Sequence, residues 1–442
     1  MKYDSYKDSI IPWIGQIPSH WGQCRLKSYN SLKGRIGWNG LRSDEFLAEG
    51  YAYLVTGQDF SGKDIKWDKC YQIEKPRYDE DPFIQLKNGD LLITKDGTIG
   101  KIATVNNLDK PACLNSGIFV MKQTKDMFEQ GYLFWMLSSD LLKEFNNYTS
   151  SGTTILHLYQ NVFENMPMII PTKEEQKAIS DYLDKKCSDI DKAIATHQKR
   201  IGLLNELRQN IITLSITKGM NPNVKLKASG DDCIGDIPEH WDVRKVKFLA
   251  DVHGRVGFKG YTIADLVPEG DGAYTIGGKH ICTNELDLSD PEYISWFKYY
   301  ESPEIMVKKG DLLTAQRGSL GKSALIREDI GPATINPSLI LLNNIRVSNE
   351  FLYWCFVSKV FLTNIFLLNT STAVPMVSQT QIKNIKLPVP PMEEQIAIVQ
   401  RIAQELKPID NSIALEKKQA DVLREYKQAL ITEVVTGKRK VC

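Results

Sequence analysis

The chain is 442 residues long, 42% hydrophobic and 25% charged, with a formal net charge of +1. Those are the proportions of an ordinary soluble protein of roughly three or four domain-sized units. A net charge so near zero excludes a chain that is basic throughout, so any nucleic-acid site must be a local patch.

The opening residues, MKYDSYKDSIIPW, lack the apolar stretch of a secretory leader. No apolar run approaches the ~20 residues that cross a bilayer. The eight cysteines are scattered, with no Cys-x-x-Cys and no tight histidine spacing. That argues against a zinc ribbon and for reduced thiols, so the expected location is the cytoplasm, away from membranes.

In chain order, IGQIPSHW at 14–21 comes first, and its His20–Trp21 pair reads as packing at a strand entry. GRIGWNG follows at 34–40 and joins Arg35 to Trp38 and Asn39. Base, glycine, aromatic and amide on one loop suit a nucleic-acid contact, and a core-anchored loop fits nearly as well. The stretch 41–86 carries an exposed-looking polar loop at 56–66. Strands are expected over 90–94 and 117–121, bounded by Gly, Asn and Asp turns. Lys95, Asp96, Gly97 and Thr98 form a glycine-flanked loop inside KNGDLLITKDGTIGK at 87–101. Its glycines let the backbone approach a partner, and exposed N–H groups with Lys101 would hold a phosphate. A plain β-hairpin with a structural turn explains the same residues. A helix marked by YLFW is expected over 131–145. After Pro167 and Pro171 a long helix is expected over 173–217, with Glu174 and Glu175 in its first turn complementing the helix dipole.

The same series then begins again. IGDIPEHW at 234–241 and GRVGFKG at 254–260 lie 220 positions after their counterparts. KKGDLLTAQRGSLGK at 308–322 lies 221 positions on, and PPMEEQIAI at 390–398 lies 219 after PTKEEQKAI. Four fingerprints in one order at one offset make the chain a tandem duplication, with a unit too long for a solenoid repeat of roughly 20–50 residues. The second copy places Arg255, Phe258 and Lys259 on its first loop, and Gln316, Arg317, Gly318, Ser319 and Lys322 at its second. A strand over 311–315, a helix over 349–366 and a long helix over 393–436, read as a run without proline, complete it. The stretch 261–307, with a polar loop at 275–284, aligns poorly with 41–86. A repeated frame with diverged loops is what a reader of two different targets needs, provided those loops are exposed. The expected class is α+β: two mixed α/β domains with strongly twisted or barrel-like sheets, each followed by a long helix.

Apolar residues recur at heptad positions in both long helices: Leu183, Cys187, Ile190, Ile194, Ile201, Leu204 and Ile211, then Ile402, Leu406, Ile409, Ile413, Ala420, Leu423 and Leu430. This narrow seam favours a coiled coil. A lone helix of ~65 Å is not stable in water, and its obvious partner is its own duplicate, packed antiparallel. A four-helix bundle or a homodimer is the alternative. His197 and Glu416 hold equivalent seam positions and would meet in a pair centred near the middle; Arg208 and Lys427 are likewise equivalent. The first two either set the register or simply reach the seam's edge.

Signals for catalysis are weak. Gly321-Lys322-Ser323 mimics the end of a phosphate-binding loop, but Gln316 stands where that loop needs glycine. No G-x-G-x-x-G, no Asn-Pro-Pro-Tyr motif for a flipped base and no zinc spacing is present. No metal site and no catalytic residue are expected.

The paired IGxIPxHW starts, the paired GDLL…GxxGK segments and the EEQ-led helices resemble the specificity subunit of Type I restriction–modification systems. So do the endings LSITKGMNPNV and LITEVVTGK. The resemblance covers essentially the whole chain. It implies target recognition domains at 1–170 and 220–389, and conserved spacer helices at 171–219 and 390–442, packed antiparallel. It implies a non-catalytic subunit that docks two modification subunits carrying S-adenosylmethionine and joins restriction subunits that use ATP and Mg. Each domain would read one half of an asymmetric bipartite site on double-stranded DNA, with the EEQ turns and rods as docking surfaces. From side-chain chemistry, the expected DNA contacts are Arg35, Trp38, Asn39, Lys95, Thr98 and Lys101, then Arg255, Phe258, Lys259, Arg317, Ser319 and Lys322. The rivals are a stand-alone methyltransferase–endonuclease, whose motifs are missing, and a silent coiled-coil scaffold.

Overall fold

The computed structural model describes residues 2–35, 41–149, 158–255, 260–369 and 374–441. The chain divides into two compact units, Met1–Gln198 with Lys418–Cys442, and Lys199–Lys417. Each long helix therefore gives one half to each unit, a division that heptad periodicity does not reveal.

In the first unit, a four-stranded antiparallel sheet runs in the order Ile102–Thr104, Leu91–Thr94, Ile118–Gln123, Asn30–Gly34. Leu91–Thr94 is buried along its whole length because the sheet is covered on both faces. Leu91 and Ile93 join a core with the helices, while Leu92 joins a second core. Alternate residues point to opposite faces, so a strand covered on both reads as one continuous apolar run. A second sheet closes that other core, in the order Ala112–Leu114, Ala52–Val55, Tyr71–Ile73, its first pair parallel.

The second unit repeats this plan. Its first sheet runs Asp251–Gly254, Leu339–Asn343, Leu312–Ala315, Ser323–Leu325. Its second has five strands, with the parallel pair Gly272–Ile276 and Ala333–Ile335 at equivalent places. The sheet expected to be barrel-like is thus two sheets sharing a core. The poorly aligning stretches also keep one topology. Phe60–Ser61 pairs with Asp64–Ile65 as Ile281–Cys282 pairs with Glu285–Leu286. The expected exposed loop at 275–284 is corrected: Thr275, Ile276, His280 and Ile281 are buried.

Two expected helices are each broken in two. Gln130–Ser138 and Asp140–Thr149 meet at Ser139, which is extended and caps the break by donating to Met136 O at 2.6 Å. Asn349–Val357 and Lys359–Leu367 meet at Ser358 with a bend of 56°. Serine competes for local backbone groups and so favours such breaks. Both pairs lie on the helical core of their unit.

The long helices span Lys173–Lys218 and Met392–Val435. The second is unbroken but not proline-free, which corrects its reading as a run without proline. Pro408 lies inside it and forfeits one hydrogen bond. Pro408 and Gln404, whose carbonyl loses its donor, are both exposed, so water can replace the bond. In the first unit Ile179, Leu183, Cys187 and Ile190 share a core with Leu430, Ile431, Val434 and Val435, while Ile194 and Leu423 are half-buried against it. In the second unit Ile402, Leu406, Ile409 and Ile413 do the same with Ile212 and Ile216; Ile201, Leu204 and Ile211 are half-buried. Past Arg208 the helix also packs on the α/β domain of its unit, so the buried stripe widens beyond a heptad seam to include Ile212 and Ile216. The basic seam positions are neutralised across the pair. Lys427 reaches Asp191 at 2.7 Å in the first unit, and Arg208 reaches Asp410 at 2.9 Å in the second. Arg200 donates to Glu416 at 3.4 Å, so partner numbers fall as helix numbers rise and the helices run antiparallel there.

Candidate nucleic-acid interface

The tips of the duplicated hairpins are exposed in both copies. In the first, Thr94 Oγ1 donates to Thr98 O at 2.5 Å and accepts from Lys101 N at 3.0 Å. Gly97 and Gly100 take φ of 68° and 82°, which only glycine adopts without strain. The second has the same form at Gly318 and Gly321, with φ of 75° and 80°. A Cβ at Gly321 would lie 2.6 Å from Leu362, and one at Gly100 would lie 3.3 Å from Leu142. The close approach that these two glycines allow is to the domain's own helix, which corrects their assignment to a partner.

The expected phosphate cradle is also altered. The N–H groups of Lys95, Gly100 and Lys101 donate to Gly117 O, Thr94 O and Thr94 Oγ1. Those of Gln316 and Gly318 donate to Ser338 O and Pro375 O. What the hairpins present outward is side chains: Thr98 and Lys101 in one, Arg317, Ser319 and Lys322 in the other, all exposed. Lys95 is half-buried, its ammonium 5.0 Å from the Phe119 ring centre.

The arginines at the other loop are not contacts. Arg35 and Arg255, at 2% and 5% exposure, are buried, which corrects their assignment to DNA. Each donates to the backbone of the second sheet instead. Trp38, Asn39, Phe258 and Lys259 lie outside the described residues.

The His-Trp and Glu-Glu-Gln fingerprints, read separately from sequence, meet. Trp21 Nε1 donates to Glu175 Oε2 at 3.1 Å, and His20 Nε2 lies 3.0 Å from Glu175. In the second unit Trp241 donates to Glu394 at 2.9 Å, with His240 at 2.6 Å. Burial alone would raise the Glu175 carboxyl. Hydrogen bonds from His20, Thr172 N and Trp21 outweigh it and leave the group below the usual range. The next residue is a second hub. Gln176 accepts from Glu129 N at 2.7 Å and donates to Pro171 O at 3.0 Å. Gln395 accepts from Ser348 N and donates to Pro390 O, both at 2.8 Å. These residues tie each long helix to its domain, so of each EEQ turn only Glu174 and Glu393 are exposed. The signal was the near-identical separation of the fingerprints in the two copies.

The serine breaks are tied to the far ends of the long helices. Thr432 Oγ1 accepts from Asp140 N at 3.1 Å, and Thr213 Oγ1 accepts from Lys359 N at 3.1 Å. Gln428 donates to Ser138 O and Gln209 to Val357 O. Hydrogen bonding, not only apolar burial, thus fixes each helix on its domain.

Charge divides the second unit. The stretch 261–307 carries nine acidic residues against two lysines, and Lys279 is already paired with Asp290 and Glu292. The exposed hairpin adds Arg317 and Lys322. A polyanion is attracted to the hairpin and repelled by the acidic stretch.

A buried carboxylate in the frame gives a pH test. Burial pushes Asp311 up to about 6, although Lys308 N donates to it at 2.8 Å. Its folded pKa exceeds its unfolded one, so its contribution favours folding below about pH 4 and fades as pH rises through about 6. Asp311→Asn is expected to stabilise the chain by about 1–2 kcal/mol at pH 7.5 and by much less at pH 5. Urea unfolding at the two pH values checks this; an equal effect at both would refute it.

The chain matches the family described as Type I restriction modification DNA specificity domain over residues 44–205 and 238–425. It is 27% identical over 434 residues to the Type I restriction enzyme MjaVIII specificity subunit of Methanocaldococcus jannaschii, covering 96% of this chain and 94% of that one. It is 25% identical to the EcoBI specificity subunit of Escherichia coli, over 71% of this chain and 66% of that one. A solved chain from work on complex assembly and conformational transition of the type I R-M system shares the fold. Its TM-score is 0.67 at 15% identity, covering 96% of this chain and 99% of that one. With the family matched in both copies, the chain belongs to the type I restriction–modification DNA specificity family, the non-catalytic DNA-binding subunits of those systems.

Proposed function

We propose that each recognition domain reads one half of an asymmetric, bipartite site on double-stranded DNA. The long helices set the spacing of the halves and dock two adenine-methylating modification subunits. One observation carries this reading: two hairpins of the same backbone form share an exposed hydroxyl (Thr98, Ser319) and lysine (Lys101, Lys322) but present opposite charges at their tips, Asp96 against Arg317. A shared frame with unlike side chains is the physical basis for two different half-sites. Lys101 and Lys322 hold phosphates, while Arg317, Trp38, Asn39, Phe258 and Lys259 supply base contacts. S-adenosylmethionine belongs to the modification subunits, and ATP with Mg to restriction subunits that join the full complex.

The test is methylome sequencing of cells carrying this chain with its modification subunit, beside cells lacking only this chain. A gapped, asymmetric methyladenine motif that vanishes with the chain is the expected result. Identical methylomes would favour a silent scaffold instead.

A further inference from the structure

We propose that Arg35 and Arg255 are positioning residues for target reading: each guanidinium locks the end of a first-sheet strand onto the second sheet of its own domain. Arg35 directly follows the first-sheet strand Asn30–Gly34. Its Nε donates to Leu114 O at 3.0 Å and its Nη2 to Cys113 Sγ at 3.4 Å. Arg255 directly follows Asp251–Gly254. Its Nε donates to Ile335 O at 3.1 Å and its Nη2 to Thr334 Oγ1 at 3.0 Å. The acceptors lie on equivalent strands, Ala112–Leu114 and Ala333–Ile335, each paired in parallel inside the second sheet. The same two nitrogens thus make the same link in both copies, although the second sheets draw on the stretches that diverged.

Burying a guanidinium costs solvation that an apolar residue would not. Mere filling of the space does not require it, whereas joining two sheets does. A planar fork with donors at fixed angles holds two elements at one orientation, which lysine cannot do. The strand end is tight on its other side as well: a Cβ at Gly34 would lie 2.8 Å from Phe119, and one at Gly254 would lie 2.6 Å from Gln379. The link therefore sets how the first sheet, and the exposed hairpin on it, stands to the second sheet. Side-chain readout of bases tolerates errors of roughly 0.5 Å before selectivity falls.

The proposal rests on the reading of the recognition domains given above, and the two halves of the target supply an internal control. Methylomes would be compared for the wild-type chain, Arg35→Lys, Arg255→Lys and Thr334→Val, each with its modification subunit, beside thermal melts of the purified chains. Arg35→Lys is expected to raise methylation of sites mismatched in one half about tenfold, the factor for losing a contact worth one base pair, while the other half stays sharp. Arg255→Lys relaxes the opposite half, and Thr334→Val relaxes that same half more weakly. Should the arginine variants fail to fold, Thr334→Val carries the test, because it removes one acceptor and keeps both arginines. Retention of both halves at wild-type sharpness would overturn the proposal. So would equal relaxation of both halves tracking the loss in melting temperature, which marks general destabilisation. A wild-type chain giving no gapped motif would overturn the half-site reading itself, and this proposal with it.

Discussion

Trp241→Ala is expected to destabilise the chain by about 4 kcal/mol, and Trp241→Phe by about 1–2 kcal/mol. Trp241 is fully buried, its indole N–H donates to Glu394 at 2.9 Å, and a Cβ on Gly219 would come within 2.9 Å of its ring. Alanine leaves a cavity the size of an indole between the domain's first strands and the start of the long helix. Phenylalanine fills most of it but leaves the Glu394 carboxylate short of one donor. The first unit predicts the same ranking at Trp21, which is also fully buried and donates to Glu175. Urea unfolding followed by far-ultraviolet circular dichroism reads all four variants without relying on the removed fluorophore. A cost below about 1 kcal/mol for both alanine variants would show that the tryptophan–glutamate link does not hold helix to domain.

The second large effect concerns binding. On the proposed reading, Lys101→Ala and Lys322→Ala together weaken DNA binding about tenfold or more near physiological salt. They also reduce the slope of log affinity against log salt by about two. Each ammonium is exposed at the end of its hairpin and lies outside both domain cores, so folding is spared. The loss should be nearly the same for target and non-target duplexes, since phosphate contacts carry no sequence information. Titration of a labelled duplex at several salt concentrations, with the modification subunit present, measures both. An unchanged slope would remove these lysines from the DNA surface. A loss confined to the target sequence would instead make them base readers.

The serine breaks and the helix hubs explain why such changes stay local. Each domain meets its helices through hydrogen-bonded polar groups, among them Gln176, Gln395, Thr432 and Thr213. A buried network of this kind is stable only when every member is satisfied, so a single change there costs more than one on the hairpin. The reading surface can vary while the frame remains.

The amino-acid sequence by itself determined the duplication, the class of fold and the positions of the strongest elements. The strand expected over 90–94 is Leu91–Thr94, and the long helix expected over 173–217 is Lys173–Lys218. These were legible because a strand covered on both faces and a helix with a heptad stripe write their period into consecutive residues. Only the tertiary structure decided partners. Arg35 beside Trp38 in sequence suggests an outward contact; in space it meets Leu114, 79 positions away, and is buried. Glu175 suggests a helix-dipole charge; its partners include Trp21, 154 positions away. The division of both long helices between two units is equally silent in a heptad pattern, which records that a helix has an apolar face and not what covers it. Periodicity is a local property, whereas pairing depends on which distant segment arrives opposite, and that choice is made by the packing of the whole unit.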